Sequence, residues 1–234
     1  MTHGFFVTGT DTGIGKTLVS CALLHAFAGS GARAIGMKPV AAGCRETPYG
    51  TESEDVAQLR AASSVHAPDE LVAPYAFAPA IAPHIGARQA GVEIELARIH
   101  SAYLELSRRA DVVIVEGVGG FRVPLNARED TADLAVLLAL PIILVVGMRL
   151  GCLNHALLTV EAIRTRKIEL AGWIANQIQP EMEAFDQNVA ALEERICAPR
   201  LATIPFQVSL DPAQLASLLA PLSGSLACNA LARV

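Results

Sequence analysis

The sequence predicts a doubly wound α/β fold, a mainly parallel sheet with helices on both faces, and three observations carry that expectation. Apolar runs of strand length alternate with segments of helical periodicity along most of the chain. Two of the runs, Val112-Val113-Ile114-Val115 and Ile142-Ile143-Leu144-Val145-Val146, are continuously apolar, as strands covered on both faces require. The third observation is the join Gly9-Thr10-Asp11-Thr12-Gly13-Ile14-Gly15-Lys16-Thr17, a glycine-rich turn between a strand and a helix of the kind that cradles phosphate.

The first strand covers Phe5-Phe6-Val7, and the first helix runs from Leu18 to Ala28 until Gly29 to Gly31 breaks the pattern. Ala34 to Met37 leads into Lys38-Pro39-Val40, where a proline at the strand's C-terminal edge disfavours helix. Residues 41–53 read as a loop, and Glu54 to Ala62 as a short helix with Asp55 in its first turn. Val65 to Ile85 holds Pro68, Pro74, Pro79 and Pro83; a structureless loop of that length is unusual, so short helical turns or a functional excursion are expected. Next come a helix over Glu93 to Arg109, a strand over Asp111 to Gly117, a helix over Thr131 to Leu140 and a strand over Ile142 to Val146. Leu153 to Arg166 and Glu181 to Ile196 read as helices, Leu170 to Ala175 and Leu201 to Ile204 as strands, and Asp211 to Leu219 as a final helix. A weakly ordered tail is expected after Pro221. With 234 residues, no repeat and no linker composition, one domain spanning 1–234 is the expectation.

With 52% apolar residues, 18% charged and a net charge of −5, the chain is neither a disordered segment nor a dedicated nucleic-acid binder. Any anionic ligand must therefore be held by local groups. Five cysteines, Cys21, Cys44, Cys152, Cys197 and Cys228, show no CxxC spacing, so neither a disulfide framework nor a zinc site is expected. Nothing basic and apolar precedes the first strand, and a reduced, cytoplasmic protein is the expectation. The apolar stretch Leu134 to Met148 is broken by Pro141 and is too short to span a bilayer.

The glycine-rich join departs from the usual P-loop spacing, with five residues instead of four between Gly9 and the Gly15-Lys16 pair. Its context is that of a P-loop NTPase-type fold all the same. The glycines turn backbone N–H groups inward, the helix N-terminus adds partial positive charge, Lys16 reaches the outer phosphates and the Thr17 hydroxyl suits a magnesium ion. In a doubly wound sheet the residues just past each strand meet along one edge, which gathers Lys38, Glu116 and Asn176, with Asp55 on the segment after Lys38. Carboxylates near a Thr hydroxyl suit Mg2+, which prefers oxygen ligands. Two lysines would screen the repulsion between a γ-phosphate and an anionic acceptor. Gly151-Cys152-Leu153-Asn154 opens a helix whose N–H groups suit a carboxylate, the alternative being an ordinary start capped by Asn154 or a neighbour. His84 reads as a structural loop residue, and His155 is ambiguous.

Taken together these motifs resemble the dethiobiotin synthetase family, from Phe5 to about Pro205. The resemblance rests on Thr8-Gly9-Thr10-Asp11-Thr12 with Gly15-Lys16-Thr17, Lys38-Pro39-Val40, Pro83-His84, Val115-Glu116-Gly117-Val118-Gly119-Gly120, Leu150-Gly151-Cys152-Leu153-Asn154-His155 and Gly172-Trp173-Ile174-Ala175-Asn176. The step from Gly9 to Gly15, awkward for a generic P-loop, is what that family shows. The resemblance implies an ATP-dependent cyclo-ligase in which 7,8-diaminononanoate and CO2 form a carbamate, ATP phosphorylates it, and the second amine closes a cyclic urea. It implies that Gly13, Ile14, Gly15 and Lys16 bind the phosphates, and that Thr17, Asp55 and Glu116 bind Mg2+. Lys38 would bridge carbamate and γ-phosphate, with Thr12 beside the carbamate and Gly117, Val118 and Gly119 beside the nucleotide. Asn176 with Gln177 would read the adenine edge, and Pro205, Phe206 and Gln207 would line its pocket. Gly151, Cys152, Leu153 and Asn154 would take the substrate's carboxylate from the neighbouring subunit, which implies a homodimer with no nucleic-acid or membrane partner. Ala42 stands where members commonly have Ser, and Gly13 where some have Glu. The rival reading is a dimeric regulatory ATPase of the partitioning type, whose members generally carry a further lysine early in the P-loop; this chain has Thr10, Asp11 and Thr12 there.

Overall fold

A computed structural model describes residues 3–47, 50–206, 211–217 and 219. Strand β1 (His3–Gly9) places Phe5 and Val7 on one face and Phe6 on the other, all at most 5% exposed. It ends in the glycine-rich turn, from which helix α1 (Lys16–Gly29) rises. The chain then forms β2 (Ala34–Met37), β3 (Val40–Ala42), β4 (Arg45–Thr47), β5 (Gly50–Glu52), α2 (Glu54–Ala62), α3 (Asp69–Val72), β6 (Tyr75–Phe77), α4 (Pro83–Gln89) and α5 (Leu96–Ser107). It continues with β7 (Val112–Glu116), α6 (Thr131–Leu138), β8 (Ile142–Met148), α7 (Cys152–Thr165), β9 (Leu170–Gln177), α8 (Phe185–Glu193) and β10 (Arg200–Ile204), and residues 212–217 are again helical.

Six strands form one parallel sheet in the order β10-β9-β8-β1-β7-β2. The winding reverses at β1, with β7 and β2 on one side and β8 to β10 on the other. Ligands bind such sheets in the crevice opened at that reversal, beyond the strands' C-terminal ends. The continuous apolar runs are explained by the two-residue period of a strand. Phe5, Val7, Val112, Ile114, Ile143 and Val145 pack beneath α1 and α2. Their sequence neighbours Phe6, Val113 and Val115 pack beneath α5 and α6, and Leu144, Val146 and Trp173 beneath α7 and α8.

The stretch expected to be a loop, 41–53, instead carries three short strands: β3 pairs in parallel with β6, and β4 pairs antiparallel with β5. Three-residue strands are too short to show an alternation in sequence. The 65–85 stretch is a compact excursion of α3, β6 and the start of α4, so His84 belongs to a helix rather than a loop. The excursion is stitched to the main sheet's edge, where Lys38 N donates to Val72 O and Tyr75 N to Pro39 O. The helix expected over 93–109 is trimmed to Leu96–Ser107, as Glu95 N donates to the Tyr75 hydroxyl outside it. The helix expected over 131–140 ends at Leu138, with Ala139 left-handed (φ 51). β9 extends two residues beyond the expected strand, placing Asn176 within it.

Candidate nucleotide and metal site

The turn after β1 is held open from below. Gly15 caps α1 in a left-handed conformation (φ 90), and a Cβ there would come within 2.3 Å of Asn176 Nδ2, so both backbone and space demand glycine. Asn176, 6% exposed, donates from Nδ2 to Ile14 O (2.7 Å) and braces the turn from β9. Thr10 is tied to β8 by its N–H to Val145 O (3.1 Å) and by its hydroxyl, which accepts from Gly147 N (3.3 Å). Lys16 opens α1 and donates to Asp11 O (2.8 Å).

Beside this turn, five groups from four segments converge. Lys38 Nζ lies 2.5 Å from Glu116 Oε1 and 2.9 Å from Asp55 Oδ2, and also approaches Gly117 O at 3.4 Å. Thr17 Oγ1 is 2.9 Å from Glu116 Oε1 and 3.1 Å from Asp55 Oδ1, so its single proton serves one carboxylate at a time. Glu116 ends β7 at 1% exposure, and its Oε2 is buried without a hydrogen-bond partner. Asp55 is set by α2, whose cap Ser53 accepts from Val56 N.

The electrostatics follow from that crowding. Burial, with repulsion from Lys38, lowers the Lys16 pKa to about 8. Burial also works against charge on Lys38, but Glu116 and Asp55 outweigh it and hold its pKa above the ordinary lysine value. Burial raises and Lys38 lowers the Asp55 pKa, and the net direction is down. Lys38 is thus the firmly charged member and Lys16 the more readily neutralised one.

A second compartment adjoins the turn. A cavity of about 200 Å³ is lined by Gly13, Gly15, Leu18, Asn176, Gln177, Ile178, Ile204, Pro205 and Phe206. Gln207 lies outside the described residues. Gly119 sits beside Thr12, with a virtual Cβ 3.5 Å from the Thr12 hydroxyl, while Val118 packs its side chain on the core. Gly151, at the start of α7, is left-handed (φ 92) and no side chain caps the helix, which removes Asn154 or a neighbour as cap. Cys152 is buried and Leu153 packs on the α7–α8 core, so what this start offers is chiefly main-chain N–H groups.

Counting from strand ends passed over one cation. Arg149, just beyond β8, reaches Asp11 Oδ2 (2.5 Å) and couples the phosphate turn to the α7 start. Asp11 Oδ1 also accepts from Thr12 N (2.8 Å). The counting rule that found Lys38 and Glu116 applied equally to Arg149. Ile178 and Ile204, which line the cavity, carry no signal of their own among so many apolar residues.

A glycine-rich turn at the reversal of a parallel sheet, with a lysine and a threonine opening the helix beyond it, defines a P-loop NTPase-type α/β protein. The same fold is found in the septum site-determining protein MinD complexed with Mg-ADP from Pyrococcus horikoshii (TM-score 0.59, 15% identity, 97% of this chain and 98% of that one). It is found also in a ParA family ATPase from Chlorobium tepidum (TM-score 0.56, 16% identity, 96% and 92%). A family model described as an AAA domain matches residues 3–214. The chain is 55% identical over 219 residues to the ATP-dependent dethiobiotin synthetase BioD of Nitrosospira multiformis, covering 94% of this chain and 95% of that one. It is 58% identical over 217 residues to that of Aromatoleum aromaticum, covering 93% and 96%. The chain belongs to the ATP-dependent dethiobiotin synthetase family.

Proposed function

We propose that this protein closes the cyclic urea of dethiobiotin from 7,8-diaminononanoate and CO2 at the expense of ATP, releasing ADP and phosphate. The observation that carries the site assignment is the convergence of Lys16, Thr17, Lys38, Asp55 and Glu116 at the phosphate turn. One amine of the substrate adds to CO2 and loses a proton, leaving a carbamate. A carbamate anion is a poor electrophile. Transfer of the γ-phosphoryl group breaks its bond to ADP and makes a carbamic-phosphoric anhydride; the second amine attacks the carbonyl carbon and loses a proton, the C–O bond breaks, and phosphate leaves. The attacking amine is held beside its target at high effective molarity, and the protein's part is positioning and charge stabilisation.

Lys16 binds the β- and γ-phosphates, with the N–H groups of Gly13, Ile14 and Gly15 turned toward them, and Gly117 to Gly119 flank the nucleotide. Lys38 bridges γ-phosphate and carbamate, neutralising two anions that would otherwise repel, and Thr12 sits near the carbamate. A hydroxyl and two carboxylates are the hard oxygen donors that Mg2+ prefers, and the unpartnered Glu116 Oε2 is an acceptor with nothing to accept. Thr17, Asp55 and Glu116 would hold that ion. When bound it supplies charge neutralisation on the phosphates. With Asn176 Nδ2 engaged by Ile14 O, its Oδ1 is left to accept from the exocyclic amine of adenine; guanine presents a carbonyl at that position. Gln177, Pro205 and Phe206 wall the base. The uncapped α7 start, Gly151 to Asn154, receives the substrate's carboxylate from the neighbouring subunit of a homodimer. We read residues 1–234 as one domain of a cytoplasmic enzyme; no described helix is long and apolar enough to cross a membrane.

The test is an assay of ADP and dethiobiotin formation with diaminononanoate and bicarbonate. ATP cleavage stimulated by that pair, with ring product accumulating in step, is expected. Stimulation by DNA or lipid instead would favour a regulatory switch.

A further inference from the structure

The Lys38 ammonium lies where the acid pair would otherwise meet a metal. Its Nζ is 2.5 Å from Glu116 Oε1 and 2.9 Å from Asp55 Oδ2, and the Thr17 hydroxyl approaches those same two carboxylates. A residue that, on the reading above, acts on phosphate and carbamate is here turned onto two of the three groups assigned to Mg2+, Asp55 and Glu116. We propose that Lys38 is a placeholder for that ion: in the nucleotide-free protein its ammonium neutralises Asp55 and Glu116 and keeps free divalent metal out, and it is released toward the phosphates when the metal arrives with nucleotide.

The argument is one of charge and space. Glu116 is 1% exposed, and a buried carboxylate without a cation is strongly disfavoured, so some positive charge must accompany it in every state. An ammonium and a divalent ion cannot both sit within contact of Glu116 Oε1 without strong mutual repulsion. The exchange therefore conserves neutrality: the metal takes the carboxylates, and the lysine takes the negative charge that the nucleotide brings. Lys38 is 4% exposed, and its flexible four-carbon stem allows the head to change partners. Lys16, now spent on Asp11 O, makes a parallel move to the same phosphates. Metal and nucleotide then bind with positive coupling, because each removes a cost from the other. Lys38 delivers its charge to the γ-phosphate only once the metal is in place.

The inference rests on the assignment of Thr17, Asp55 and Glu116 to the metal, and the two are separable by experiment. Binding of Mn2+ alone, followed by the electron paramagnetic resonance signal of the free ion, is compared in the parent and in Lys38→Met. The expected result is that nucleotide-free Lys38→Met binds Mn2+ at least about tenfold more tightly than the parent, that Lys38→Met/Glu116→Gln loses the gain, and that a non-hydrolysable ATP analogue, which carries the γ-phosphate, strengthens Mn2+ binding far more in the parent than in Lys38→Met. A parent that binds Mn2+ with that analogue, beside a Lys38→Met protein that gains nothing with Mn2+ alone, overturns the placeholder while leaving the metal site standing. A parent that binds no Mn2+ even with nucleotide overturns both. Should Lys38→Met fail to fold, nucleotide-free parent crystals soaked in Mn2+ decide. An ion on Asp55 and Glu116 with Lys38 Nζ still bonded to both overturns the proposal. No ion there without nucleotide, with an ion on Asp55 and Glu116 and Lys38 Nζ turned away once a non-hydrolysable ATP analogue is added to the soak, supports it.

Discussion

Two helices of this protein begin alike and end up in different surroundings. Helices α1 and α7 each run for 14 residues, each follows a parallel strand, and each starts at a left-handed glycine with no side-chain cap, Gly15 at φ 90 and Gly151 at φ 92. Both therefore present free N–H groups and the positive end of a helix dipole. Their surroundings differ. The α1 start is walled by Asn176, opened by Lys16 and Thr17, and faced by Lys38 with its two acids. The α7 start follows Leu150, which is 98% exposed, and neither Gly151 nor Asn154 is buried. On the proposed reading, one kind of backbone cup takes two anions: with cations and walls around it, a metal-bound triphosphate, and left open, a single carboxylate brought by another molecule.

Breaking the charged cup should cost most. Lys16→Ala and Lys38→Ala are each expected to lower turnover by roughly a hundredfold or more, the usual scale for deleting a preorganised charge at a developing anion. ATP cleavage at the parent's rate by either variant would remove the α1 start from the chemistry. If the α7 start serves the other subunit, mixing Lys16→Ala protein with Asn154→Trp protein, whose side chain crowds the carboxylate cup, should recover a sizeable part of the activity that neither has alone. Mixed dimers that stay inactive would mean that each site draws both cups from a single subunit.

A pH titration separates the cups next. With the Lys16 pKa lowered to about 8, the ligand-free protein loses that ammonium above pH 8, whereas bound phosphate holds the proton on. Nucleotide affinity should be full below that pH and fall above it by up to about tenfold per unit, with proton uptake on binding measurable by calorimetry in two buffers. Affinity level from pH 7 to 10 would contradict the desolvated Lys16. The sign for stability is opposite. The folded-state pKa lies below the unfolded one, so Lys16 costs stability when protonated, and that cost fades between about pH 8 and 10.5.

Smaller effects sharpen the contrast further. Alanine at either glycine strains the left-handed backbone by about 1–2 kcal/mol, a loss of a few degrees in Tm. Gly15→Ala should lose nucleotide binding as well, since its Cβ collides with Asn176 Nδ2, whereas Gly151→Ala has nothing within 4 Å and should fold and bind nucleotide. Equal nucleotide affinities in the two variants would mean the brace from β9 is dispensable. Arg149→Ala, which cuts the half-exposed tie to Asp11, should cost no more than about 1 kcal/mol of stability, read by thermal melts against the parent.

Much of this was legible in the chain itself. Apolar runs such as Val112 to Val115 announced buried parallel strands, and the Gly9 to Thr17 join announced a glycine-rich turn between strand and helix, because these patterns arise from local backbone periods and glycine geometry. The rule that strand ends meet along one edge located Lys38, Glu116 and Asn176. It placed Asn176 just past its strand rather than in it, a matter of where pairing with β8 and β10 stops. The β3–β6 pairing escaped notice, since three-residue strands are defined by partners and leave no period of their own.

By itself the amino-acid order determined the layer type, the glycine-rich turn that opens α1 and the family to which the protein belongs, all encoded in contiguous residues. Only the folded chain decided which way each charge faces. Lys38 bonds Glu116 across 78 positions of sequence, Asn176 braces Ile14 across 162 and Arg149 ties Asp11 across 138. Contacts so distant exist only once the sheet has set its strand order, because a polar group's partner is chosen by proximity in space and, for a buried pair such as Lys38 and Glu116, by the cost of leaving a charge alone.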